Sequence, residues 1–231
     1  MSEMDEKELQ AKLEISYIAV DLYTAQDGEF GLSQIADELD ITVSDIFEYF
    51  PNKRAILEFF YTSLVIRYRM MIDEIDGFES YSLGEKLSNF AYASFDMMEE
   101  KQSFVESTYK DYIVCSYSKT EYARQIEDLL RQFFKEDEHL SASSSLVLND
   151  LSFSLMRRKY QLLVLYWLRD ESEGREKTME LIDKLTSFIQ EVMYSKVADQ
   201  GFELVKFFWS NISKSDIPFW DSLSSKIEIR E

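Results

Sequence analysis

A catalytic chain needs nucleophiles, bases or metal ligands at workable spacing, and this one offers almost none. Its one histidine, His139, sits in an acidic loop beside Glu138, and its one cysteine is Cys115. No metal-ligand cluster, glycine-rich phosphate loop or nucleophile motif appears. Carboxylate pairs abound, but only because 44 of the 231 residues are Asp or Glu. The expectation is no catalysis, no metal and no cofactor. The spacing that does carry chemistry lies in DITVSDIFEYFPNKRAIL, residues 40–57. Lys53 and Arg54 stand there at the start of a helix, where backbone N–H groups and the helix dipole favour an anion such as phosphate. Just before them, Asp45 and Glu48 are acids able to accept from a cytosine amino group. Between Val43 and Phe50 there is no Lys or Arg at all.

A second set of candidates is apolar. The stretches FFYTSLVIRYRMM (59–71) and FAYASFDMM (90–98) have two readings: plain core, or the wall of a cavity in which tyrosine hydroxyls orient an apolar guest. Tyr68, Met71, Phe95, Tyr112 and Tyr166 are the candidates for contact with such a ligand, chosen by position and not by motif. The densest basic run, Arg157-Arg158-Lys159, could meet an acidic head group; in so acidic a chain, pairing with neighbouring Glu and Asp is favoured. FELVKFFWSNI (202–212) puts Phe202, Val205, Phe208, Trp209 and Ile212 on one face. With one Lys and no basic flank, that face suits a dimer interface or packing under the body better than a membrane surface.

Composition bounds what these residues can be part of. Six Gly and two Pro are too few for a many-stranded β fold, so the chain is expected to be all-α. A lone cysteine and an opening MSEMDEKE without a basic-then-apolar signal point to the cytoplasm. No apolar run approaches the roughly 18 residues of a membrane span, so no stable membrane insertion is expected. The formal net charge of −19 removes any general attraction to nucleic acid or anionic lipid, so such binding must come from a local patch.

The periodicity supplies the elements. Apolar residues from Leu9 to Tyr23 at helical spacing mark a first helix ending at Asp27-Gly28, and LSQIADEL (32–39) a second with Gly31 as N-cap. Thr42 and Asp45 have capping-box spacing, which starts a third helix at Val43 with Ile46, Tyr49 and Phe50 inward. Pro51 suits the first turn of a fourth, from about Asn52 to Ile75, apolar all round for two turns. Further helices are expected near 84–99, 103–117, 119–136, 143–170, 173–196 and 199–213. The three-residue turn DIT between the second and third helices forces a steep crossing, a helix-turn-helix that leaves the start of the third exposed for reading. The expected division is a helix-turn-helix unit at 1–51, a helical ligand and dimerisation unit at 52–214, and a loose tail at 215–231.

Residues 9–60, through "IAV.LY...DG", LSQIADELDIT and IFEYFPNKRAIL, resemble the DNA-binding domain of the TetR family of regulators. The resemblance implies a homodimer formed by the last two long helices, and an apolar small-molecule or lipid ligand in the body that changes the spacing of two reading heads. It places Thr42, Val43, Ser44, Asp45, Phe47, Glu48 and Tyr49 at positions facing the major groove of a double-stranded DNA operator. It matches Lys53 to a phosphate-contacting lysine, with Arg54 beside it. A second, narrower resemblance, Tyr166 with Asp170, Ser172 and Thr178 in YQLLVLYWLRDESEGREKTMELIDKL (160–185), is to the lipid-binding proteins of ubiquinone biosynthesis that share the TetR fold without repressing.

The departures from the TetR pattern are electrostatic. Val43 stands where Lys or Arg is common, Asp45 where Thr is usual and Asp40 where Gly is usual. Residues 1–60 hold fourteen acids against four bases, a net of −10. Phosphate neutralisation supplies nearly all non-specific DNA affinity, so duplex binding is expected to be weak or strongly salt-sensitive. The sequence therefore carries two functional expectations: a ligand-responsive TetR-type regulator, and a TetR-fold lipid-binding or protein-interaction accessory that does not bind DNA.

Overall fold

The computed structural model describes residues 6–141, 144 and 148–195. Among them there is helix and no strand. The order is α1 (Glu6–Ala25), α2 (Leu32–Leu39), α3 (Val43–Tyr49), α4 (Lys53–Asp73), α5 (Leu83–Glu99), α6 (Gln102–Tyr109), α7 (Glu121–Lys135), α8 (Asp150–Trp167) and α9 (Glu176–Tyr194), with short 3-10 turns at Phe78–Ser80 and Glu173–Arg175.

Local chemistry sets several boundaries. Thr42 and Asp45 form the expected reciprocal cap of α3: the Thr42 hydroxyl oxygen accepts from the Asp45 N–H at 3.2 Å, and the Asp45 carboxylate accepts from the Thr42 N–H at 2.7 Å. Ser82 and Glu85 repeat the device at α5. The fourth helix begins one residue later than the sequence suggested, because the Asn52 side chain accepts from the Ala55 N–H at 2.9 Å and is the cap. Pro51 thus precedes the cap instead of occupying the first turn, and the helix ends at Asp73, not Ile75.

The helix expected over 103–117 is cut short for a different reason. After Tyr109 the ladder widens to a π turn over Lys110–Val114, closed by the Cys115 N–H on the Lys110 carbonyl at 2.8 Å. The long helix expected over 143–170 begins at Asp150, where Asn149 caps it through the Leu151 and Ser152 N–H groups. It stops at Trp167, and Asp170 turns forward to the next helix. That next helix is regular only from Glu176, after the 3-10 turn. The segment 199–213 and the tail 215–231 lie outside the described residues.

α4 is the axis of the molecule. Its buried residues, from Ile56 round to Ile72, face more than one side, as the all-round apolar pattern implied. α1 and α5 lie along it, α7 packs on it, and α9 packs on α5. One hydrophobic cluster runs without a break from Ile15 in α1 to Met193 in α9. Gly84 faces α9: a Cβ there would meet the Gln190 side chain at 2.8 Å, the oxygen that now accepts from the Gly84 N–H.

Candidate nucleic-acid interface and ligand-binding body

α2 and α3 are joined by a left-handed residue, Asp40, at φ 53°, where a Gly would be unstrained. The turn holds because the Ile41 N–H donates to the Ala36 carbonyl at 3.0 Å, and because Ile46 and Phe50 are driven into the core. Burying Ile46 leaves the other side of a seven-residue helix outward. Thr42, Ser44 and Glu48 are exposed, Phe47 is 52% exposed, and Val43, Asp45 and Tyr49 are half-buried. The structure thus gathers all seven candidate reading residues on one short element. The backbone and side-chain hydrogen bonds from Thr42 hold the Asp45 carboxyl below its ordinary value, so it remains a charged cap.

Of the two bases beside this element, Lys53 is turned inward and Arg54 stays exposed but paired. Lys53 donates to the carbonyls of Gly28 and Phe30, both at 2.8 Å, and its ammonium lies 3.7 Å from the centre of the Phe30 ring. It closes the α1–α2 turn, in which Gly28 sits at φ +84°. Arg54 pairs with Glu58 at 2.6 Å and lies over the Tyr112 ring at 4.7 Å. The other bases of the head are also engaged: Lys12 meets Glu8 at 2.5 Å, and Lys7 has a partner as well. The acids of α2 and α3 are left facing outward without a basic neighbour of their own element.

The five candidate ligand residues do not converge. Tyr68 and Phe95 belong to one chain of rings through the body: Tyr68 meets Phe90 at 5.0 Å, Phe90 stacks on Tyr160 at 5.0 Å, and Phe95 stacks on Trp167 at 5.1 Å. Met71 is 46% exposed on α4, and Tyr166 is half-buried on α8. Tyr112 is in the π turn, against Arg54, so one candidate from each set meets at the boundary of head and body. An all-round apolar helix cannot reveal from sequence which of its faces is covered, and Met71 lies on the less covered one.

The Asp-x-Ser and Thr pattern near the end of α8 is a structural clasp. One Asp170 oxygen accepts from the Ser172 N–H at 3.0 Å and hydroxyl at 2.5 Å; the other accepts from the Thr178 N–H at 2.8 Å and hydroxyl at 2.6 Å. Desolvation raises the proton affinity of this carboxyl, but the four hydrogen bonds outweigh it and hold the group at about 2. Tyr166 takes no part in these bonds. Arg157 is likewise structural: it pairs at 2.8 Å with buried Glu127, whose other oxygen takes Lys119 at 2.5 Å.

Sequence reasoning missed a buried polar group between α6, α7 and α8, comprising Tyr109, Tyr122, Tyr160 and Gln161, with Arg157 at its edge. Tyr122 donates to Tyr160 at 3.3 Å, and burial pushes the Tyr160 hydroxyl up to about 12. No motif spacing marks these residues; only the high count of 14 tyrosines hinted that some hydroxyls must be inside.

A sequence profile described as "Tetracyclin repressor-like, C-terminal domain" matches residues 86–208, more than half of the chain. The chain belongs to the TetR family. The match covers the body, and so complements the resemblance carried by the head. A TetR-family transcriptional regulator from Streptomyces coelicolor, known from its crystal structure, is 17% identical, aligned over 97% of this chain and 98% of that one, with a TM-score of 0.45. No curated protein matches the sequence. Among the described residues of this TetR-family chain, no helix is long and apolar enough to cross a membrane, and no group of His, Cys, Asp and Glu could hold a metal ion.

Proposed function

We propose that the protein is a ligand-responsive TetR-type transcriptional regulator of the cytoplasm, without catalytic activity. The head, residues 1–51, presents α3 to duplex DNA. The body, residues 52–214, holds an uncharged apolar effector and forms the homodimer, leaving 215–231 as a tail. The observation that carries this reading is the α2–α3 unit itself: Ile46 and Phe50 anchor it, and Ser44, Phe47 and Glu48 stand outward on a helix short enough to enter a groove. Effector binding shifts which head spacing is populated, at a coupling of about 1–3 kcal/mol. Affinity for duplex is low and salt-sensitive, because Lys53 is held by the Gly28 and Phe30 carbonyls and the exposed Arg54 is already paired with Glu58.

That same engagement favours a second reading, in which the fold is kept and DNA is not bound: an accessory that carries a lipid or meets another protein. The two separate in a fluorescence-anisotropy titration of the full chain against pooled random duplex DNA, at about 50 and then 200 mM salt. Binding at the lower salt that falls away at the higher supports the regulator. No binding at either salt overturns it and leaves the accessory.

A further inference from the structure

Among the described residues, two buried polar atoms of the body have no hydrogen-bond partner: the hydroxyl of Tyr109, on a residue 0% exposed, and the side-chain nitrogen of Gln161, on a residue 5% exposed. Their neighbours are satisfied. Tyr61 shares a hydrogen with Thr108 at 2.6 Å, and Tyr122 donates to Tyr160 at 3.3 Å. The orientation of Gln161 is fixed, since its oxygen accepts from Arg157 at 2.7 Å; flipping the amide would set donor against donor. Tyr109 belongs to the same group: the Tyr122 hydroxyl reaches towards its oxygen, the Tyr160 hydroxyl and the Arg157 charge act on it, and its own O–H is left without an acceptor. Folded proteins leave few buried donors unpaired, and each such group calls for a cause.

The backbone adds an independent observation. Tyr109 is the last residue of α6, immediately before the π turn of Lys110–Val114. Such turns collect at functional sites, because the extra residue in the ladder is kept where it aims a side chain. Three residues further on, the same turn lays Tyr112 against Arg54 at the start of α4.

We propose that Tyr109 and Gln161 are the polar end of the effector site, and that they take an uncharged apolar molecule through a carbonyl oxygen. A carbonyl oxygen has two lone pairs; one accepts from the tyrosine hydroxyl and the other from the carboxamide. An ionised head group does not suit the place. Arg157 already donates to Glu127, Gln161 and Ser154, and both oxygens of Glu127 are taken. Walls of Tyr61, Tyr122 and Tyr160 supply the apolar contact. The assignment rests on the effector reading above but not on DNA binding, so it holds for regulator and accessory alike.

The test uses the full chain and Prodan, a fluorescent naphthyl ketone whose emission moves to the blue when its carbonyl loses hydrogen-bond donors. Prodan is titrated into the wild type, then displaced by a long-chain methyl ketone and by the hydrocarbon of equal length. The expected result is a ketone preference of about tenfold, with Tyr109→Phe and Gln161→Met each weakening Prodan by about tenfold and moving its bound emission to the blue. Tyr109→Phe removes a single oxygen, and circular dichroism checks that helix is retained. If Prodan binds with its ketone preference intact in both variants, the effector reading stands and this assignment falls. If both variants are stabilised with Prodan binding unchanged, the two atoms serve only a bridging water and the assignment falls. If neither Prodan nor ketone binds the wild type, the effector reading falls with it.

Discussion

Asp170 and Thr178 are joined twice through a single carboxylate oxygen, which accepts the threonine's backbone N–H at 2.8 Å and its hydroxyl at 2.6 Å. The clasp ties the end of α8 to the first turn of α9, whose own N-cap residue, Arg175, is left-handed at φ 55° and caps nothing. Asp170→Ala should therefore cost about 1–2 kcal/mol in urea unfolding, in the manner of a lost helix cap. Thr178→Val should cost less, and the double variant less than the sum of the two. Additive losses would mean that the two residues act separately.

The same carboxyl gives a pH signature. Its folded value, about 2, lies below the unfolded one, so its contribution is present above the unfolded carboxylate range and is lost as pH falls towards the folded value. The stability gap between wild type and Asp170→Asn should be constant near neutrality and close progressively from about pH 4 downward. Paired urea titrations at several pH values read this directly. A gap that widens on acidification would refute the clasp as described.

Lys53→Ala removes two charge-assisted hydrogen bonds and the contact with the Phe30 ring. The expected loss is about 1–3 kcal/mol of stability, with the 26–31 turn the first segment to gain hydrogen exchange. In a duplex titration, a salt slope lowered by about one would show that the ammonium also reaches a phosphate. An unchanged slope assigns the lysine wholly to the turn.

Glu127→Ala leaves Arg157, whose side chain is 12% exposed, as a buried charge without its carboxylate. Removing one member of such a pair costs about 3–5 kcal/mol, more than replacing both. The double variant Glu127→Leu with Arg157→Met should recover much of the loss in thermal unfolding. Equal destabilisation by the single and double variants would place the energy in packing and not in charge.

What could be read from the sequence was what is local. Thr42 and Asp45 lie three residues apart, and their cap, the start of α3 and the inward turn of Ile46 follow from that spacing alone. The all-α class followed from composition, and the family from short motifs in the head. Lys53 shows the limit: its partners lie 23 and 25 residues away, and nothing in FPNKRAIL says that the amine turns inward. Tyr109 and Gln161 come from different helices, and no spacing marks their buried, unpartnered atoms. Asp170 was singled out through a resemblance, yet its role as a clasp depends on the reversal at Gly174, φ 56°, which brings Thr178 back to it.

The unbroken cluster from Ile15 to Met193 has a consequence for engineering and for descent. Tyr17 of α1 meets Phe60 at 5.9 Å, Tyr23 meets Phe104 at 5.3 Å, and the Ser16 hydroxyl donates to the Ile56 carbonyl at 2.9 Å. A chimaera that carried the first 51 residues onto a foreign body would present these groups to surfaces not shaped for them. The head is not a cassette, and changes to it and to the core of the body must be tolerated together.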